Sequence, residues 1–288
     1  MPAEVGDGAF RSAAASADMA VEKFEGAVRR QAVDALAVEE PLEIRLVFGP
    51  ADARRAKAIS VTMRTPGHDF ELAVGFLMTE GVVGDAADIV RPVAARRASR
   101  NVVQVELMPH VSVSVGNLER NFYTTSSCGV CGKSSILALR AVGPPRAASR
   151  FQVTPEFVST LPARLLGSQD TFGKTGGLHA AGLFDLAGSL LASREDVGRH
   201  NAVDKLLGAE FLAERTPLSD RVLVLSGRSS FELLQKAAMG GVPMVVSIGA
   251  PSTLAVAVAR EFRMTLAGFV RADHFNVYCG GERIVRAR

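Results

Sequence analysis

Tryptophan is missing from the chain, tyrosine occurs twice, and only three cysteines are present. Three thiols (Cys128, Cys131 and Cys279) cannot build a disulfide framework. That sets aside the small secreted scaffolds and points to a reducing compartment. Neither sign of charge dominates. The formal net charge is +3 and the pI is near 8.9, too weak a bias to argue for nucleic acid, though compatible with anionic small molecules. No apolar run reaches the length of a membrane span, and the first thirty residues lack the apolar segment of a signal peptide. The expectation is a soluble, cytoplasmic protein with neither membrane nor nucleic-acid partners.

What is present is ordinary in bulk. The 288 residues are 48% hydrophobic, enough to bury a real core without disulfides or structural metals. With 27 Gly and 13 Pro the chain is neither fibrous nor wholly disordered. Residues 1–37, rich in Ala, Ser, Glu and Gly, read as a loosely ordered extension.

Residues 38–120 read as a β-rich N-terminal subdomain. Leu42–Phe48 alternates apolar and polar residues up to Gly49-Pro50, and Ile59, Val61 and Met63 repeat that pattern. Asp69 is placed to cap a helix through Leu72, Phe76 and Leu77, and Val102–Met108 with Val111–Val115 suggests a further strand pair. Residues 121–135 are polar, Gly/Ser/Thr-rich and aperiodic, and read as a mobile loop. A short helix from Ile136, a linker over residues 142–149 and a helix over Pro155–Leu166 follow. Beyond Gly176 the pattern becomes regular. Ala181–Asp185 and Leu190–Ser193 form a predicted hairpin across Ala187-Gly188. Then come a helix (Asn201–Leu212), a strand (Val222–Leu225), a helix (Phe231–Met239), a strand (Met244–Ile248), a helix (Leu254–Phe262) and a strand (Thr265–Val270). This alternation predicts a mostly parallel sheet with helices on its faces, and a ligand site at the carboxyl ends of its strands. Residues 136–288 form this α/β domain.

One local motif carries chemistry by itself, Cys128-Gly-Val-Cys131. A thiolate is the reactive form, and at an ordinary pKa of ~8.5 only about 3% of a thiol is ionised at pH 7. Lys133 and a helix start after Gly132 would both lower that value. The residues alone leave several readings open. The pair can be half of a zinc site completed by Cys279 and a histidine, a dithiol redox centre, a carrier of persulfide sulfur, or a purely structural element. A hydrolytic zinc site is disfavoured, because Ser127 stands where zinc deaminases have Pro and no His-x-Glu occurs in the chain.

The segment Thr124-Thr-Ser-Ser-Cys-Gly-Val-Cys-Gly-Lys-Ser134 resembles the signature of the FdhD/NarQ family, the formate dehydrogenase accessory sulfurtransferases. Further blocks resemble the family in order: Val38–Arg45, Arg64–Asp69, Gly75–Gly81, Thr175–Ala181, Arg194–Lys205, Leu225–Glu232, Gly249–Ala255 and Phe275–Tyr278. Cys279 departs from it, standing where relatives often carry Thr. The resemblance implies a cytidine-deaminase-like three-layer α/β/α domain over residues 136–288. It implies a sulfurtransferase that takes persulfide sulfur from a cysteine desulfurase, with Cys128 as the persulfide-bearing residue and Cys131 as its partner. The sulfur passes to the molybdenum cofactor, Mo-bis(molybdopterin guanine dinucleotide), bound as cargo, for formate dehydrogenase. A homodimer is implied as well, and no resident metal.

The family's cofactor-contacting stretch matches Phe269, Val270, Arg271, Ala272, Asp273 and His274. Within it, Arg271 would neutralise phosphate, Asp273 would read a guanine edge and Phe269 would pack against a ring. Arg199, His200, Lys205, Gly227, Arg228 and Ser229 are further candidates, with a solvated ion-pair face as the alternative for Arg194, Glu195, Asp196 and Arg199. His68 and His179 read as turn or packing residues. The rival functions are a molybdenum-cofactor chaperone that moves no sulfur, and a zinc-dependent hydrolase on the same fold.

Overall fold

The computed structural model describes residues 14–90, 101–111, 113 and 151–286. Within them, β1 (Ser16–Glu25) and β2 (Val28–Ala37) form a hairpin. A three-stranded sheet follows, from β3 (Glu40–Phe48), β4 (Arg55–Arg64) and β5 (Val102–Glu106), with α1 (Asp69–Thr79) after β4. Then come α2 (Pro155–Leu166), α3 (Asp170–Thr175), β6 (His179–Phe184), β7 (Leu190–Asp196), α4 (Arg199–Leu212) and β8 (Val222–Leu225). The chain closes with α5 (Phe231–Met239), β9 (Met244–Ser247), α6 (Thr253–Glu261), β10 (Thr265–Gly268) and β11 (Asn276–Cys279).

The last six strands make one sheet in the order β11-β10-β9-β8-β6-β7. Its strands alternate their side chains between two cores. Ala181, Leu183, Leu223, Leu225, Val245 and Leu266 face α1, α4, α5 and α6. Phe184, Val222, Val224, Met244, Val246 and Ala267 face Val158, Leu161 and Leu165 of α2. Helices therefore cover both faces, and the period of two along each strand explains why the four-residue β8 and β9 are wholly buried. The sheet is mixed rather than mostly parallel. Only β8-β9 and β9-β10 pair in parallel, whereas β6-β7, β6-β8 and β10-β11 are antiparallel. The βα alternation accounts for the parallel centre, and the two hairpins add antiparallel edges.

The N-terminal sheet has β3 between β4 (antiparallel) and β5 (parallel). Its inner residues Leu42, Ile44, Leu46 and Val105 belong to the same core as α1 and α4, so it closes over that core and has none of its own. Asp69 is the first helical residue of α1, not its cap. The cap position is His68, in the left-handed conformation at φ 58°, and the Asp69 carboxylate instead accepts two bonds from buried Arg64, at 2.9 and 3.0 Å. Val111 and Val113 pack on the core but lie in no strand.

Over Ser16–Ala37 the expected loose extension is instead a hairpin in unbroken register, turned at Gly26 with φ 62°. Composition misled here, because the order comes from backbone pairing and from cross-strand pairs such as Arg30–Glu25 at 3.1 Å rather than from burial. Met19, Phe24, Val28 and Val33 remain more than half exposed. Residues 1–13, the Cys-x-x-Cys loop, the helix from Ile136 and the linker over 142–149 lie outside the described residues.

Candidate functional site at the strand ends

Three loops leave the carboxyl ends of β8, β9 and β10, and backbone hydrogen bonds stitch them into one rim. Gly249 N–H donates to Gly227 O at 3.0 Å, Ser229 N–H to Ala250 O at 3.1 Å, and Phe269 N–H to Gly249 O at 3.1 Å. Such spacing makes even a Cβ a tight fit at two of the glycines. A Cβ on Gly249 would lie 3.0 Å from the backbone of Arg228, and one on Gly268 would lie 3.0 Å from Pro251. These glycines make the rim by letting backbones touch, which a predicted turn alone does not require.

Helices α4 and α5 begin at this rim. The approach to α4 is held by Asp196, which is fully buried. Its carboxylate accepts from Gly198 N–H at 2.8 Å, Asn201 Nδ2 at 3.0 Å and Thr65 N–H at 3.1 Å, and pairs with Lys205 Nζ at 2.7 Å. Lys205 also donates to Thr65 O at 2.8 Å and is 1% exposed. This overturns two expectations. Lys205 is tied to the backbone of Thr65, just after β4, and to Asp196, so its ammonium is spent inside the fold, and Asp196 is not part of a solvated face. Nor is Arg194, whose guanidinium grips Glu71 of α1 at 2.6 and 3.0 Å. Glu195 accepts from the first N–H groups of α3. A charged run in the sequence turns out to be a set of joints because β7 runs between α1 and α3.

Arg199, His200 and Arg228 do gather at the rim. His200 Nε2 lies 2.7 Å from Glu232 and 3.3 Å from Ser230 Oγ, which joins the starts of α4 and α5. The His200 hydrogen bond holds the Glu232 carboxyl below its usual range. His179 sits against Gly227, where a Cβ would be 3.3 Å from its Nδ1. Burial, with the nearby charges of Arg199 and Arg228, pushes its imidazole below the usual value and favours the neutral form. His179 is therefore part of this cluster, beyond the packing role expected of it. Ser230 and Glu232 were not foreseen as partners of His200. Their signal was the Ser-Ser-Phe-Glu start of a helix after a strand. His68 is an exposed turn residue bonded to Glu71 at 3.0 Å.

The stretch from Phe269 to His274 continues the rim. Phe269 is 41% exposed and left-handed, at φ 53°, a conformation that a bulky side chain adopts only under local constraint. Val270 points into the core with no exposure, so it can offer a ligand only its backbone. Arg271 Nη1 donates to Ile248 O and Val270 O, both at 2.8 Å, with the side chain exposed. Ala272 is exposed, and Asp273 and His274 pair with each other at 2.7 Å in solvent. That pairing holds the Asp273 carboxyl below its usual range.

Cys279 is half-buried on β11, its thiol 3.4 Å from Met264 O, and burial pushes its pKa up. Cys128 and Cys131 lie outside the described residues. Among the described residues no group of three or more His, Cys, Asp or Glu could hold a metal ion, and no helix is long and apolar enough to cross a membrane.

The described residues thus form a mixed α/β fold with a glycine-lined rim at its strand ends, where Arg199, His200 and Arg228 gather around His179. The chain belongs to the FdhD/NarQ family, whose sequence pattern matches residues 37–285. It is 49% identical over 259 residues to the sulfur carrier protein FdhD of Streptomyces coelicolor, covering 87% of this chain and 89% of that one. It is 46% identical over 267 residues to the protein of that name from Mycobacterium tuberculosis (87% and 92%), and 41% identical over 262 residues to that from Picrophilus torridus (90% and 95%). Its fold matches the crystal structure of a Desulfotalea psychrophila chain assigned as a formate dehydrogenase accessory protein. The TM-score is 0.72 at 23% identity, covering 94% of this chain and 100% of that one.

Proposed function

We propose that the protein is a sulfur carrier serving formate dehydrogenase. In this reading Cys128 accepts sulfur from a cysteine desulfurase and passes it to the molybdenum cofactor, held as substrate at the strand-end rim. The observation that carries it is near-half identity, over almost the whole chain, with relatives named as sulfur carriers, in a sequence that has a Cys-x-x-Cys pair. The electron count is simple. Cys128 thiolate attacks the outer sulfur of the donor's persulfide, a new S–S bond forms as the donor's breaks, and the donor leaves as a thiolate. In delivery, Cys131 thiolate attacks Cys128 Sγ. The outer sulfur leaves with the electron pair as sulfide for the metal, and a Cys128–Cys131 disulfide remains for a cellular thiol to reopen.

In this reading Phe269 packs on a ring at the rim, Arg271 meets phosphate, and Asp273, once parted from His274, accepts from a guanine edge. Backbone groups of Val270, Ala272 and His274 complete the stretch. A homodimer in the cytoplasm fits this role, and the apolar side chains left uncovered on the β1–β2 hairpin support a second copy packing there. The test is to incubate the full chain with a cysteine desulfurase and cysteine and weigh the loop peptide. A gain of one sulfur on Cys128, lost in Cys128→Ala together with formate dehydrogenase maturation in cells, is expected. A Cys128→Ala chain that still supports full formate dehydrogenase activity would leave a cofactor chaperone as the better account.

A further inference from the structure

Helices α1, α4 and α5 meet around a buried charge that the proposed function does not use. Lys236 of α5 is 5% exposed, and its ammonium donates to Asp204 of α4 at 2.9 Å and to Thr79 Oγ1 of α1 at 3.0 Å. The Thr79 hydroxyl donates in turn to Asp204 Oδ1 at 3.0 Å, and the centre of the Phe76 ring lies 5.5 Å from the ammonium. Asp204 is thus answered twice. Glu80 is not. Its carboxylate lies 3.8 Å from Lys236, within its field but too far for a hydrogen bond. Glu80 is also the C-cap residue of α1, where the helix already carries partial negative charge and has no basic residue in its last turn. One ammonium therefore faces two carboxylates, and full ionisation would leave one surplus negative charge in a largely buried place. Such a charge is costly, and a buried acid relieves it by keeping its proton.

We propose that Glu80 keeps its proton at neutral pH and that its loss as pH rises loosens α1 from α4 and α5, which makes this seam a pH-sensitive brace. The surroundings agree. Burial pushes the Glu80 carboxyl above its usual range; Lys236 pulls it down, and the negative charges of Asp204 and Glu232 push it up again. The other charges facing the cluster come from the same two helices. His200 of α4 acts on Asp204 and Glu232 of α5 acts on Lys236, each from one turn earlier on its helix, and the two pair with each other at 2.7 Å. Arg199 acts in turn on Glu232. Exposure selects which acid releases the proton. The Glu80 side chain is 21% exposed and that of Asp204 4%, so Glu80 exchanges with solvent while Asp204 stays bound to Lys236. A carboxyl raised in the folded state stabilises the fold below its unfolded pKa of about 4.5 and loses that contribution as pH rises through the folded value. The brace does not rest on sulfur transfer and holds whatever ligand the rim takes.

The experiment compares the full-length wild-type chain with Glu80→Gln and Glu80→Ala, neither of which can take on the surplus charge. Urea unfolding of all three is followed from about pH 5 to about pH 9, so that every group they share cancels in the difference. The folding equilibrium constant of wild type is expected to fall relative to both variants, by about tenfold for each pH unit above about 4.5 until the proton has left. Hydrogen exchange in the last turn of α1, compared at equal pH, should show wild type opening more readily than Glu80→Gln at the alkaline end. The infrared spectrum of wild type at neutral pH should contain the carbonyl band of an un-ionised carboxyl group, and both variants should lack it. A relative stability that is flat or rises with pH would overturn the proposal, since Glu80 would then be ionised throughout. Absence of the band from wild type would do the same, and a band that persists in both variants would place the proton on Asp204 and overturn it too. Should one variant not fold, the other variant and the wild-type band still decide.

Discussion

Helices α1 and α4 cross with their backbones in contact, and replacing one hydrogen atom with a methyl group tests how much of the fold depends on that. A Cβ on Gly75 would lie 1.9 Å from Asp204 O and 2.7 Å from Asp204 C, and one on Gly208 would lie 1.9 Å from Glu71 O. A carbon and a carbonyl oxygen normally approach to about 3.3 Å, so Gly75→Ala requires the helices to part by roughly 1.4 Å. The obstructing atoms are backbone, and no rotamer change relieves them. Parting opens the seam lined by Leu72, Ala73, Leu77, Val203, Leu206 and Leu207, all at most 1% exposed. Overpacking of this kind costs about 3 kcal/mol, the upper part of the usual range, and the better helix propensity of Ala returns about 1. The net of about 2 kcal/mol corresponds to a fall of roughly 4–8 °C in Tm for a chain of this size. Far-UV circular dichroism on heating measures it, with Gly173→Ala as control, since nothing lies within 4 Å of a Cβ there. A Gly75→Ala protein that melts within about 1 °C of wild type would refute the reasoning, for the helices would then separate at no cost.

Two further outcomes follow from the described geometry. Burial raises the Glu71 pKa, but hydrogen bonds from His68 and Arg194 outweigh it and hold the group at about 2. A depressed carboxylate stabilises the fold above its unfolded pKa of about 4.5 and loses that contribution as pH falls towards 2. Glu71→Gln should therefore cost about 2 kcal/mol at pH 7, allowing for screening of a quarter-exposed group, and progressively less between pH 4.5 and 2. Urea unfolding across that range checks it, and a pH-independent difference would contradict it. Cys279, half-buried and with its pKa raised by burial, is a poor nucleophile. Cys279→Ser should accept as much sulfur from a desulfurase as wild type, by mass spectrometry, and a loss of loading would make Cys279 part of the relay.

The sequence was most legible where local pattern and tertiary role agree. The bounds of α2, β8 and α5 match the predicted ones residue for residue, because each is a short apolar segment between clear turn residues and each packs on the sheet as its period requires. Strand direction was not legible. β6 and β7 are a hairpin joined by a turn, but that β8 pairs antiparallel with β6 depends on where α4 carries the chain, and no periodicity encodes it. The hairpin Ser16–Ala37 was missed for the opposite reason. Its strands pair with each other and bury little, so composition reads as loose although alternation and the Glu25-Gly26 turn are present.

The site divides the same way. Residue types put Gly227, Arg228 and Ser229 after a strand, and they follow β8, whose carboxyl end lies beside that of β9 in a parallel pair. They could not separate Lys205 from Arg199, six positions apart on one helix. Lys205 points into the fold against Asp196 and Thr65, while Arg199 stands at the helix start with an unsatisfied nitrogen. What distinguishes the two is not the charge but whether a neighbouring element already answers it. At Arg194, Lys205 and Arg64 a carboxylate does, and the cation is a joint. At Arg199 Nε and Ser229 Oγ no partner answers among the described residues. The strong polar pairs around them are spent on joints between other elements: Lys205–Asp196 ties α4 to β7, Arg194–Glu71 ties β7 to α1, and His200–Glu232 ties α4 to α5.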